Sequence, residues 1–80
     1  MNNSKELIFR DWKFHLDVPA GHSILTNEEM ISILYKDYDT IALINFQNDR
    51  VEIGSSSYCA KIAFNASTKE FFISQKEEEL

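Results

Sequence analysis

An 80-residue chain with 44% apolar residues, 26% charged residues and a single proline has the composition of one small globular domain, too short for two separate cores. Thirteen acidic residues against eight Lys and Arg leave a formal charge of −5, which excludes nucleic-acid binding by phosphate neutralisation, and the lone Cys59 excludes an intrachain disulfide. With only His15 and His22 to join that cysteine, no zinc site of ordinary spacing can form, and no apolar run reaches the roughly 18 residues of a membrane span. The expectation is a cytoplasmic chain with no metal, no cofactor and no membrane contact.

Taken along the chain, Met1–Ser4 is polar and reads as an untied end, and the folded body is expected to run from about Leu7 to about Ser74. Leu7, Ile8 and Phe9 are apolar but out of phase with Trp12, so Arg10-Asp11 holds either a bulge or a turn. From Trp12 to Val18 apolar and polar residues alternate, which predicts a strand with Trp12, Phe14, Leu16 and Val18 on one face. Pro19-Ala20-Gly21 ends it.

Thr26-Asn27-Glu28-Glu29 fits a capping box, with the Thr26 hydroxyl serving the Glu29 amide. Met30, Ile31, Leu34 and Tyr38 follow at helical spacing, with Ile33 at the edge of their face and Glu28, Ser32 and Lys36 on another. The pattern predicts an amphipathic helix of about three turns ending near Tyr38. Thr40–Phe46 is almost unbroken in apolar character and predicts a central strand. A turn at Asn48-Asp49 leads to a short strand at Val51–Ile53, completing a hairpin. After Gly54-Ser55-Ser56-Ser57, the alternation of Tyr58, Ala60, Ile62 and Phe64 predicts another strand, and Asn65–Lys69 turns it into Phe71–Ile73 as a second hairpin. The expected fold is therefore α+β: a single domain over 1–80, frayed at about 1–4 and 76–80. Its sheet has four to five mostly antiparallel strands with one helix, in the order β-α-β-β-β-β, with Leu7–Phe9 as a further strand if Arg10-Asp11 is a turn.

One helix of about 12 residues is roughly 18 Å long and cannot cover five strands spread over more than about 20 Å. Ile41 and Leu43 alternate with Ala42, Ile44 and Phe46, so both faces of the sheet carry apolar groups. Either the sheet curls around its own side chains, or a second copy or another protein closes the open face.

Residues that could carry chemistry are few. His15 between Lys13 and Asp17 has the neighbours of a base oriented by a carboxylate, but alternating polar residues on an exposed strand produce the same pattern, and a solvated histidine is the default. Cys59 has Lys61 on its own face, which lowers a thiol pKa in principle, although a buried inert cysteine is the commoner case. Gly54-Ser55-Ser56-Ser57 lacks the lysine and glycine spacing of a phosphate loop and reads as a connector.

The helix and its exit are acidic: Glu28, Glu29, Asp37 and Asp39 stand against Lys36 alone. Carboxylates at the start of a helix are favoured by its dipole, whereas Asp37 and Asp39 near the end are not, which makes the four a candidate partner-binding set for a basic target. No motif identifies a family. In size and charge alone the chain resembles the small inhibitor, immunity, antitoxin and anti-defence proteins of bacteria and their phages. The expected function is accordingly a non-enzymatic, acidic protein-binding inhibitor that occludes a larger protein with a basic site. The alternative is a homo-oligomeric structural or accessory module, a homodimer in its simplest form.

Overall fold

The computed structural model describes residues 2–35, 39–47, 50–56 and 60–75, and every regular element among them is a β-strand. In chain order these are β1 (Asn2–Phe9), β2 (Trp12–Pro19), β3 (His22–Thr26), β4 (Met30–Tyr35), β5 (Asp39–Gln47), β6 (Arg50–Gly54), β7 (Ala60–Asn65) and β8 (Glu70–Gln75). They make two four-stranded sheets, ordered β1-β2-β8-β7 and β3-β4-β5-β6. The α+β expectation, with its single sheet and one helix, is corrected to an all-β fold. Each sheet belongs to its own compact unit, and the chain leaves the first unit after Ala20 and returns to it after residue 58.

The first sheet is built on the alternation seen in the sequence. Phe14, Leu16 and Val18 of β2 and Phe71 and Ile73 of β8 are buried, while Lys13 and Asp17 between them are exposed. β2 and β8 run parallel, with Phe14 opposite Phe71 and Leu16 opposite Ile73. A parallel neighbour requires a long crossover, and here that crossover is the stretch between Pro19 and Glu70, which contains all of the second sheet. The Phe14 and Phe71 rings stack at 4.9 Å, and Trp12 packs on Phe71 at 4.7 Å and on Phe64 at 6.4 Å. Trp12 is only partly buried, so Phe71 rather than the tryptophan is the centre of this cluster.

β1 joins β2 through a two-residue turn. Phe9 pairs with Trp12, and Arg10 and Asp11 have φ of 52° and 67°. Positive φ at both central residues marks the type I′ hairpin turn, whose twist matches that of the flanking strands. Arg10-Asp11 is thus a turn and not a bulge, and pairing extends back to Asn2 opposite Pro19, so residues 2–4 belong to the strand. Neither turn residue is a glycine, and a side chain in the left-handed region costs roughly 1–2 kcal/mol. Asp11→Gly is expected to raise stability by about 1 kcal/mol, read as a rise of about 4–8 °C in melting temperature. An unchanged or lower value would show that the Asp11 side chain offsets its own strain.

In the second sheet, β4 takes the place of the expected helix. Met30-Ile31-Ser32-Ile33-Leu34-Tyr35 satisfies helical spacing but equally satisfies a period of two, and its isoleucines favour a strand. β4 lies between β3 and β5, where Ile31, Ser32 and Ile33 are all buried, so successive residues on both faces are covered as in an interior strand. β3, over residues to which sequence patterning assigns no strand, pairs with it from His22 opposite Tyr35 to Thr26 opposite Ile31.

A β-bulge sits in the β4–β5 ladder. Ile33 pairs with Ala42 and Leu34 with Thr40, leaving Ile41 as the extra residue. Ile41 and Ala42, at and beside the bulge, are both fully buried. The carbonyl of Ile41 accepts a hydrogen bond from the Ser55 hydroxyl at 2.6 Å, and the Ser56 amide donates to the Thr40 carbonyl at 3.0 Å. Ser55 and Ser56 therefore satisfy backbone groups at the bulge.

Candidate acidic turn and histidine cluster

The turn between β3 and β4 carries two of the four candidate carboxylates. Asn27, not Thr26, organises it: the Asn27 Oδ1 accepts from the amides of Glu29 (2.9 Å) and Met30 (2.8 Å), and its own amide donates to the Met30 carbonyl at 2.9 Å. An asparagine side chain bonding to amides two and three residues on is a common way to close a turn, and it uses the residue the capping-box reading passed over. The Glu29 carbonyl in turn accepts from the Phe46 amide of β5 at 2.7 Å. The backbone is thus held while the Glu28 and Glu29 side chains are exposed, and Leu25 on the strand leading in is 58% exposed.

Asp39 is elsewhere. It begins β5 and pairs with Tyr35 at the far end of β4, whereas the turn adjoins Met30. Five strand steps separate Met30 from Tyr35, about 17 Å. The structure therefore brings Glu28 and Glu29 together and sets Asp39 apart from them; Asp37 lies outside the described residues. Cys59 lies outside them as well.

On the exposed face of the first sheet a second group forms that sequence reading only half anticipated. The register places Glu6 of β1 opposite His15 of β2, and His15 opposite Phe72 of β8. The His15 Nε2 lies 2.6 Å from a Glu70 carboxylate oxygen, and its Nδ1 lies 3.3 Å from Glu6. The ring stacks on Phe72 at 4.8 Å with a 7° interplanar angle, and the Lys13 ammonium is 3.6 Å from Glu6. The expected neighbours on β2 itself, Lys13 and Asp17, are two residues away along the strand, farther than the directly opposed cross-strand residue. Glu6 and Glu70 are distant in sequence, and no spacing rule could have assigned them.

Chemically, this is an imidazole with a carboxylate at each nitrogen. A ring protonated on both nitrogens can donate to both glutamates, while a neutral ring can donate to only one. The hydrogen bond from His15 holds the Glu70 carboxyl below its ordinary value of 4.5. A hydrogen bond with Thr68 acts in the same direction, and the charges of His15 and Lys13 add to it, outweighing partial desolvation. Because the folded-state pKa is depressed, the stabilising contribution is present in full above the unfolded value and is lost as pH falls through the folded one. Stability of the native chain is expected to drop below pH 4.5 more steeply than that of Glu70→Gln, as read by denaturant midpoints across pH. Parallel pH profiles for the two proteins would remove Glu70 as the cause.

Among the described residues no group of three or more His, Cys, Asp or Glu side chains is arranged to hold a metal ion, and no helix is long and apolar enough to cross a membrane. The chain matches no protein-family profile, no curated protein and no solved structure.

Proposed function

We propose that this chain is a small cytoplasmic protein-binding inhibitor, without catalytic activity of its own, that occludes a larger protein through a basic site on that protein. The observation that supports the reading is the β3–β4 turn: two adjacent exposed carboxylates on a backbone pinned by Asn27 and by Phe46 of β5, beside the exposed Leu25. A pinned turn loses little conformational entropy on binding, acidic side chains steer it toward positive charge, and an apolar neighbour adds area that water leaves on contact. Asp39 and Asp37 are not needed for this surface.

The test is capture of a binding protein from lysate on the immobilised chain, repeated with Glu28→Lys/Glu29→Lys. Since the Glu29 side chain is not the cap of a helix, the double substitution is expected to leave the fold intact. Captured protein should be larger than the bait, elute as salt rises and fail to bind the variant, with the loss mainly in association rate. Capture that is equal for both proteins, or no specific capture at all, would refute the reading.

A further inference from the structure

β6 is an outer strand: among the described residues it pairs with β5 alone, and all five of its residues are exposed. Natural edge strands usually carry a guard against further pairing, such as proline, a bulge or charged side chains, lysine above all, and β6 carries only the opposite charges of Arg50 and Glu52. Arg50-Val51-Glu52-Ile53-Gly54 has no proline and no lysine, and its register with β5 runs without a shift. Val51 and Ile53, 39% and 40% exposed, alternate with Arg50 and Glu52, so the apolar pair and the charged pair occupy opposite faces.

Two-fold symmetry restricts how a strand can pair antiparallel with its own copy. Hydrogen-bonded and non-bonded pairs alternate along the ladder, so a residue must sit opposite itself on the axis. With Val51 there, Arg50 of each copy lies opposite Glu52 of the other, giving two opposite-charge cross-strand pairs. The other outer strands offer nothing comparable. In β1, Lys5 and Glu6 are adjacent and cannot be opposed in a symmetric pair; β3 has no acidic residue, and the only charge on β7 is Lys61.

We infer that the chain self-associates through β6, antiparallel and centred on Val51, so that the β3-β4-β5-β6 sheets of two copies become one continuous eight-stranded sheet. The inference does not rest on the target-binding reading. β3 lies at the opposite edge of the sheet from β6, so the Glu28-Glu29 turn stays exposed in such a dimer and is presented twice.

Sedimentation equilibrium of the full chain over a concentration series is expected to show a reversible shift from 9.3 kDa toward twice that mass. Arg50→Glu and Glu52→Arg should each weaken association by about tenfold, because each sets like charges opposite one another, and the double swap should restore it to within about threefold. The two single changes move net charge in opposite directions, so a general charge effect cannot weaken both. Circular dichroism should show the fold unchanged in all three. A chain that stays monomeric up to about 1 mM overturns the inference. So do single variants that associate as tightly as the parent, or a double variant as weak as the singles.

Discussion

Alanine at Phe71 is expected to cost about 3–5 kcal/mol and to leave the chain largely unfolded at physiological temperature. Phe71 is fully buried in β8, opposite Phe14 in the parallel ladder, and its ring contacts those of Trp12, Phe14 and Phe64. Removing it therefore deletes the member on which three other aromatic rings pack, and rigid rings close poorly around the space left behind. A chain of 80 residues has in total about 4–12 kcal/mol of stability, so the loss takes most or all of it. Phe14→Ala should fall in the same range. Trp12→Ala should cost less, because the tryptophan is only partly buried. Urea titrations followed by far-ultraviolet circular dichroism would rank the three. A Phe71→Ala protein with a midpoint near that of the parent would mean that the cluster contributes little.

Ile44→Ala is expected to cost about 2–5 kcal/mol. Ile44 is fully buried in β5 and stands between Ile31 of β4 and Ile53 of β6 in one cross-strand row. Its neighbours make the test specific. Ile31→Ala should cost a similar amount, and the double variant less than the sum, because the two side chains border one cavity. Ile53→Ala, at the exposed end of the same row, should cost under about 1 kcal/mol. Additive losses at 31 and 44, or equal losses at 44 and 53, would contradict the register and burial described for this sheet.

Alternation over Trp12–Val18, the apolar run of Thr40–Phe46 and the short apolar segments Val51–Ile53 and Phe71–Ile73 were readable as strands because a strand's period of two is a local property of the backbone. The exposed acidic pair Glu28-Glu29 was also legible, as composition, though its setting was not. Met30–Tyr35 carries two periodicities at once, and local sequence could not choose between them. The choice falls to β3 and β5, which supply hydrogen-bond partners on both sides of β4. The same dependence explains Asn27: its side chain closes a hairpin turn only because two strands are present to be joined. His15, Glu6 and Glu70 meet through the β1–β2 and β2–β8 registers, and the parallel β2–β8 pairing joins segments some fifty residues apart, as the 55-residue separation of His15 and Glu70 shows. Strand phase, acidity and the lack of cysteine pairs were thus set by the chain itself. The number of sheets, the partners of each strand and the neighbours of each charged side chain depend on long-range hydrogen bonding, which no local pattern encodes.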